Sequence, residues 1–266
     1  MSHLLRSHAP ITEKGWALID DEARSRVSVG LAARRLVDFS GPHGWEHSAS
    51  NLGRVDPLSG DPAGRVKALQ RKVLPLVEFR GDFTVSRAEL ADAERGAEDL
   101  DLADLDTAAV TMSIAENVAV FHGYAAGGIV GVTEATPHPT IMLGDDCEAY
   151  PRHVATAVQT LMAAGVGGPY GLALGPGPYT GVIETAEHGG QLLLEHLRQI
   201  LGGPVVWAPG VKGAVVISQR GGDFLFDCGQ DLAVGYDHHD AEKVALYVEE
   251  SFSFWVATPE AAIALT

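Results

Sequence analysis

Residues 220–240, "RGGDFLFDCGQDLAVGYDHHD", crowd metal-capable side chains together: His238, His239, Cys228, Asp223, Asp227, Asp231, Asp237 and Asp240. A zinc centre needs three or four such ligands converging at about 2 Å. Neighbouring histidines send their side chains apart, and no HExxH-like spacing accompanies them. Asp223, Asp227 and Asp231 recur every four residues, which suits neither one strand face nor a calcium loop. The stretch therefore predicts strands with a solvated turn at "DHHDAE", and no metal site.

Other candidate chemistry dissolves the same way. "GPGPYTG" (175–181) breaks both the dinucleotide and the P-loop glycine patterns, and reads as a strand end running into a helix. A GxSxG elbow is absent, and no spacing pairs a cysteine with a histidine. The acids of "EDLDLADLD" (98–106) are accounted for by capping and the dipole of a helix start. "AEHGGQ" (186–191) reads as a small polar loop holding His188. No catalytic residue is predicted, and the chain is not expected to be an enzyme.

The elements that carry these residues are readable in outline. Residues 12–35 predict a helix, with Thr12 as N-cap and Trp16, Ile19, Ala23, Val27 and Leu31 at helical spacing. The apolar–basic tail before it, "HLLRSHAPI", needs a surface to lie on. Residues 47–74 are polar and rich in Gly and Pro, too poor in apolar content to make a core of their own. They read as a loose loop or as an arm ordered by another chain. Leu76 to Val85 alternates as a strand. "DLDLADLDTAAVTMSIAENVAVFHGYAAGG" predicts the strongest helix, buried along Leu102, Leu105, Ala109 and Met112 and stopped by Gly127–Gly128. From 151 to 218 helices and strands alternate, and 223–257 is β, with "FLFDCGQDLAVGY" and "KVALYVEESFSFWV" as two long strands.

Composition bounds the partners. The 266 residues include 35 acids against 19 Lys plus Arg, a formal charge of −16. So negative a surface repels phosphate backbones, and nucleic acid is not an expected partner. Two distant cysteines, Cys147 and Cys228, predict reduced thiols. No run is long and apolar enough for a membrane span, and the N-terminal residues lack the apolar core of a secretory signal, so a cytoplasmic protein with no membrane partner is expected.

Taken in order, "LLRSHAPITEKGWALIDDEA", "RRLVDFSGPHGWEH", "LPLVEFRGDFTV", "ELADAERGAEDLDLADL", "AENVAVFHGYAAGGIVG", "GPYGLALGP", "SQRGGDF", "GQDLAVGYDHHD" and "ESFSFWV" resemble the encapsulin shell proteins, formerly labelled linocin-type bacteriocins. The resemblance runs end to end. It implies an α+β chain with the Hong Kong 97-type fold of tailed-phage major capsid proteins. The implied divisions are an N-terminal helix and start of the P-domain (1–46), an E-loop (47–74), a P-domain with its spine helix (75–128), an A-domain (129–222) and C-terminal P-domain strands (223–266).

The same resemblance implies a homo-oligomeric icosahedral shell, of the smallest size (T = 1), forming a cytoplasmic nanocompartment. Its cargo would be an enzyme such as a dye-decolourising peroxidase or a ferritin-like protein, held by a C-terminal peptide. Carried onto this chain, the peptide groove comprises Val27, Leu31, Arg34, Leu36, Asp38, Asp231, Leu232 and Val234. Glu187, His188, Gly189, Gly190 and Gln191 match the loop at the fivefold pore, where rings of charge would filter small solutes. Relatives that stack a flavin carry Trp where this chain has Ala88, so no cofactor is expected. The alternatives are a protease or lytic bacteriocin, which needs a nucleophile–base pair, and a phage capsid protein that packages DNA, which the charge opposes.

Overall fold

A computed structural model describes residues 3–60, 63–144, 146–185 and 192–266. Thr12 caps helix α1 (Glu13–Gly30) as expected, its Oγ1 accepting from the Gly15 N–H at 3.2 Å. Trp16, Ile19, Ala23 and Val27 form its buried stripe. The helix stops at Gly30, short of the expected 35, and Ala33–Arg35 tighten into a 3-10 turn. Strand β1 (Asp38–Ser40) is followed by the arm, β2 (Ala49–Pro57) and β3 (Leu69–Pro75), and then by β4 (Val77–Ser86). Helices α2 (Arg87–Arg95) and α3 (Ala103–His122) come next. The long helix ends at Gly123, whose φ of +87° suits glycine, and not at the Gly127–Gly128 pair, which closes a separate short turn.

The middle of the chain holds α4 (Val132–Ala135), α5 (Tyr150–Ala163), β5 (Tyr170–Leu174), α6 (Pro176–Glu184), α7 (Leu193–Leu201), β6 (Val205–Trp207) and β7 (Ala214–Ser218). "GPGPYTG" is the strand end and helix start expected of it. The C-terminal part is β8 (Phe224–Cys228), β9 (Ala233–His239), β10 (Lys243–Val256) and β11 (Ala262–Leu265).

Two sheets result. The first runs β1–β8–β10–β4, with β9 also paired to β10. Its organiser is β10. One edge lies along β4 from Lys243 to Phe252, while the other meets β9 in its first half and β8 in its second. "FLFDCGQDLAVGY", expected as one strand, is therefore two. The chain leaves β8 at Gly229, whose N–H donates to Ser251 O, and Gln230 O accepts from Ser251 N–H before β9 resumes. A Cβ at Gly229 would come within 2.6 Å of the Leu76 side-chain tip, so a larger residue here would have to displace it. His238 and His239 are the last residues of β9, one step before the turn rather than in it, and both are exposed.

The second sheet is β11–β7–β5–β6. Strand β11 pairs antiparallel with β7 from Ala262 to Leu265. This departs from the expected grouping of 223–266 with the first sheet: after β10 the chain crosses back and closes the second. "AIAL" is buried at every position, its outer edge covered by Ile141, which exchanges backbone hydrogen bonds with Ala264 and Thr266.

Two cores fill the body. Trp16, Ile19, Leu105, Met112, Val234 and Val248 make one, between α1, α3 and part of the first sheet; Leu172, Leu197 and Val216 of the second half belong to the other, joined there by Phe226 and Phe252 of the first sheet. The arm belongs to neither. Both faces of β2 and β3 are largely exposed, and Val55, Leu58, Val66, Leu69 and Val73 stand half in solvent or more. Two strands with no core are marginal by themselves.

Candidate functional site

The turn after α1 governs the site. Asn117, fully buried on α3, accepts from the N–H groups of Ala32 and Ala33 at 3.1 and 3.0 Å and donates to Gly30 O and Pro209 O at 2.7 and 3.0 Å. Every polar group of the amide is used, as burial demands. Helix contact is just as close at Gly30, where a Cβ would lie 2.2 Å from Ser113 Oγ.

That turn delivers Arg34 to three carboxylates. Its Nε donates to Glu116 at 2.6 Å, Nη1 to Asp231 at 2.6 Å and Nη2 to Glu250 at 2.7 Å. Its guanidinium carbon lies 5.0 Å from the Phe39 ring centre. Burial works against the charge of Arg34, but Glu116 and Glu250 hold its proton more firmly than usual, with Asp231 adding to this. Burial also pushes both buried carboxyls upward; Arg34 opposes this at each, while the charge of Glu116 drives Glu250 further, well above its ordinary value. The Oε1 atoms of Glu116 and Glu250 are buried and have no donor among the described residues.

Beside this cluster α1 and β9 part to form a groove of about 450 Å3. Ala23, Val27, Val234 and Val248 make a buried apolar floor, and Leu31 and Leu232 are half-exposed at its sides. Its ends carry charge: Arg6 paired with Asp20 at 2.7 Å, and Arg34 with Asp231. Arg6 also lies over the Trp16 ring, 4.0 Å from its centre. The N-terminal tail has the surface it needs: Leu4 O accepts from Tyr236 N–H, and His3 stacks on Trp45 and meets Glu249 at 2.7 Å.

Six of the eight expected groove residues thus line one cavity: Val27, Leu31, Arg34, Asp231, Leu232 and Val234. Leu36 and Asp38 do not. Leu36 is buried in the second core and packs over Gly171, and Asp38 accepts from the Gly222 N–H at 2.8 Å. The 3-10 turn at 33–35 rotates both away from the face that Arg34 presents. The expected pore residues Glu187, His188, Gly189, Gly190 and Gln191 lie outside the described residues. Ala88 opens α2, with its N–H held by Ser86 Oγ. Sequence reasoning missed Arg6, Asp20, Glu116, Glu250 and Asn117. Only Asp20 and Arg6 left a signal, one turn from the apolar stripe and in the basic tail.

The opening stretch contains one convergence that its internal spacing hides. Asp227 meets His43 and His47, both far upstream, at 3.0 and 2.9 Å.

The described residues form a two-sheet body with a long helix, an arm outside both cores and an open, largely apolar cleft between α1 and β9. Similarity to known proteins defines its class. Residues 1–253 match the family described as "Encapsulating protein for peroxidase". The chain is 46% identical to the type 1 encapsulin shell protein of Rhodospirillum rubrum, covering all of this chain and 96% of that one. It is 41% identical to the shell protein of Rhodococcus erythropolis and 39% to that of Mycobacterium tuberculosis, covering each pair in full. In structure it resembles a virus-like particle from Pyrococcus furiosus, with a TM-score of 0.68 at 18% identity over 94% of this chain and 99% of that one. The capsid of the Myoviridae phage XM1 follows at 0.53 and 12%, covering 88% of this chain and 90% of that one. The fold is therefore that of Hong Kong 97-type phage capsid proteins, α+β in class. The chain belongs to the encapsulin shell-protein family, and is a structural shell protein, not an enzyme. Among the described residues no helix is long and apolar enough to cross a membrane.

Proposed function

We propose that copies of this chain close into an icosahedral T = 1 nanocompartment in the cytoplasm and take up a cargo enzyme by its C-terminal peptide. The groove between α1 and β9 is the docking site. The carrying observation is the convergence of Val27, Leu31, Leu232 and Val234, from separate parts of the sequence, on one open apolar cleft with a charged pair at each end. A short extended peptide with one or two Leu or Ile side chains fits this chemistry. Each side chain gains about 1.5–3 kcal/mol on burial, while Arg34 and Arg6 face its polar atoms. One contact of this kind is weak. An oligomeric cargo engages many grooves at once, and the later engagements are intramolecular. A peroxidase or ferritin-like protein suits this mode, since both classes form oligomers. Small substrates would enter by a pore at the fivefold axis built from 187–191.

The experiment is co-expression with a fluorescent protein ending in the C-terminal peptide of a peroxidase or ferritin-like protein encoded beside this chain. Electron microscopy should show closed particles that fluoresce. Leu232→Asp, on the half-exposed groove wall, should leave the particles closed and cut cargo per shell by at least tenfold. Undiminished loading in that variant overturns the groove, and absence of particles overturns the shell.

A further inference from the structure

We propose that His43, His47 and Asp227 bind a divalent transition-metal ion of the zinc class at the root of the arm. The Nε2 atoms of His43 and His47 lie 3.0 and 2.9 Å from the two different oxygens of Asp227. One potential ligand atom from each residue falls within 4.8 Å of the others. The rings are 4.8 Å apart and tilted by 52°, so both nitrogens face the carboxylate without stacking. Metal–nitrogen and metal–oxygen bonds of about 2.0–2.1 Å at tetrahedral angles set the ligands about 3.3 Å apart. An ion would therefore draw the three ligands, now within 4.8 Å of one another, together through side-chain rotation. Exposed His43 and half-exposed His47 can turn in this way.

The backbone holds the ligands in place without an ion. The N–H groups of His43 and Gly44 donate to Cys228 O and Gly229 O at 3.0 and 2.8 Å, and that of His47 to Gly44 O at 3.1 Å. Gly41, at φ +119°, approaches β8 so closely that a Cβ would sit 2.4 Å from Cys228 O. The outer partners are also present. Ser50 Oγ donates to Asp227 and contacts Ser253 Oγ, which orients the carboxylate; Ser40 Oγ, 3.0 Å from His43 Nε2, would give way to the ion. Two imidazoles and one carboxylate select zinc, cobalt, nickel or copper over magnesium or calcium, and leave a fourth position for water. His47 and Ser50 flank the entry to β2, while Asp227 lies in the body sheet. An ion here would pin the arm's root to the body.

Cobalt(II) is the probe, added to untagged full-length protein previously stripped with a chelator. Visible absorption bands of a nitrogen–oxygen-ligated cobalt should rise to about one equivalent per chain and vanish on adding zinc. His43→Gln, an exposed change that leaves the Asp227–Ser50–His47 contacts standing, should weaken zinc at least tenfold by calorimetry. Asp227→Asn should abolish the bands. Zinc should also slow proteolytic cleavage at 47–52 several-fold in the parent protein and not in His43→Gln. Equal affinity in parent and His43→Gln, or no saturable cobalt spectrum in the parent, overturns the site.

Discussion

At the scale of single residues the groove's charged end rests on an imbalance: one guanidinium faces two fully buried carboxyls, and a third, Asp231, is half-exposed. Burial, and then the charge of Glu116, push the Glu250 carboxyl well above its ordinary range, with Arg34 opposing them. The sign is that of a carboxyl raised by folding: the native state binds more protons than the unfolded one. Its contribution to stability is whole below about pH 4.5 and is lost as pH rises through the raised value. Glu250→Gln removes the titrating carboxyl and keeps an amide oxygen that can accept from Arg34. Thermal unfolding from pH 5 to 8 should therefore show a steeper fall in the parent than in Glu250→Gln, by up to about 1.4 kcal/mol per pH unit. Parallel profiles would mean that both carboxyls are ionised. Resemblance to the family singled out Arg34 and Asp231 in the sequence. Glu116 and Glu250 were not legible, because each sits in an apolar run where a lone glutamate reads as the solvated position. Their partner Arg34 lies 82 and 216 positions away.

At the scale of elements, capping and periodicity carried far. Thr12, the buried stripe of α1 and the buried positions of α3 are where helical spacing puts them. What failed was punctuation. At Gly30, where α1 ends, Ser113 of α3 packs within contact, and between β8 and β9 the chain at Gly229–Gln230 bonds to Ser251 instead of continuing one strand. Both are tertiary causes, invisible to local pattern. Asn117 is the clearest instance: its side chain gives the Ala33 N–H its partner and adds a second to Ala32 N–H, which also donates to Gly30 O. Asn117→Leu strands the Ala33 N–H and Pro209 O in a buried place, while Ala32 N–H and Gly30 O keep each other at 2.8 Å. At about 1–3 kcal/mol for each group not rescued by water, the variant should lose at least about 2 kcal/mol in urea unfolding. It should also release Arg34 and lower cargo loading in whatever shells form. Asn117→Asp, which keeps the two accepted bonds, should recover part of the stability; failure of both variants to differ from the parent would remove Asn117 as the pivot.

At the scale of the whole molecule, the arm is the part the chain cannot complete by itself. Residues 49–57 and 69–75 pair with each other through a register shift between Asn51 and Arg54, and bury almost nothing. Val55, Leu58, Leu69 and Val73 remain exposed on a two-stranded ribbon, an apolar edge that a solitary subunit would not keep free. The ordered body needs none of it, since both cores close without a residue from 49–75. Its polar composition could be read in the sequence; its strand pairing could not, for neither strand has a buried face to set an alternating pattern. In a shell of identical copies the natural use of such a ribbon is to lie on a neighbour, where strand edges and apolar side chains are covered together. Removing 50–70 should therefore separate folding from closure. The shortened chain should stay soluble and melt cooperatively, yet sediment as a single subunit or a small oligomer and give no spheres by electron microscopy. Closed particles of ordinary size from that variant would place the shell's contacts elsewhere on the body. An unfolded product would show instead that the arm supports its own subunit.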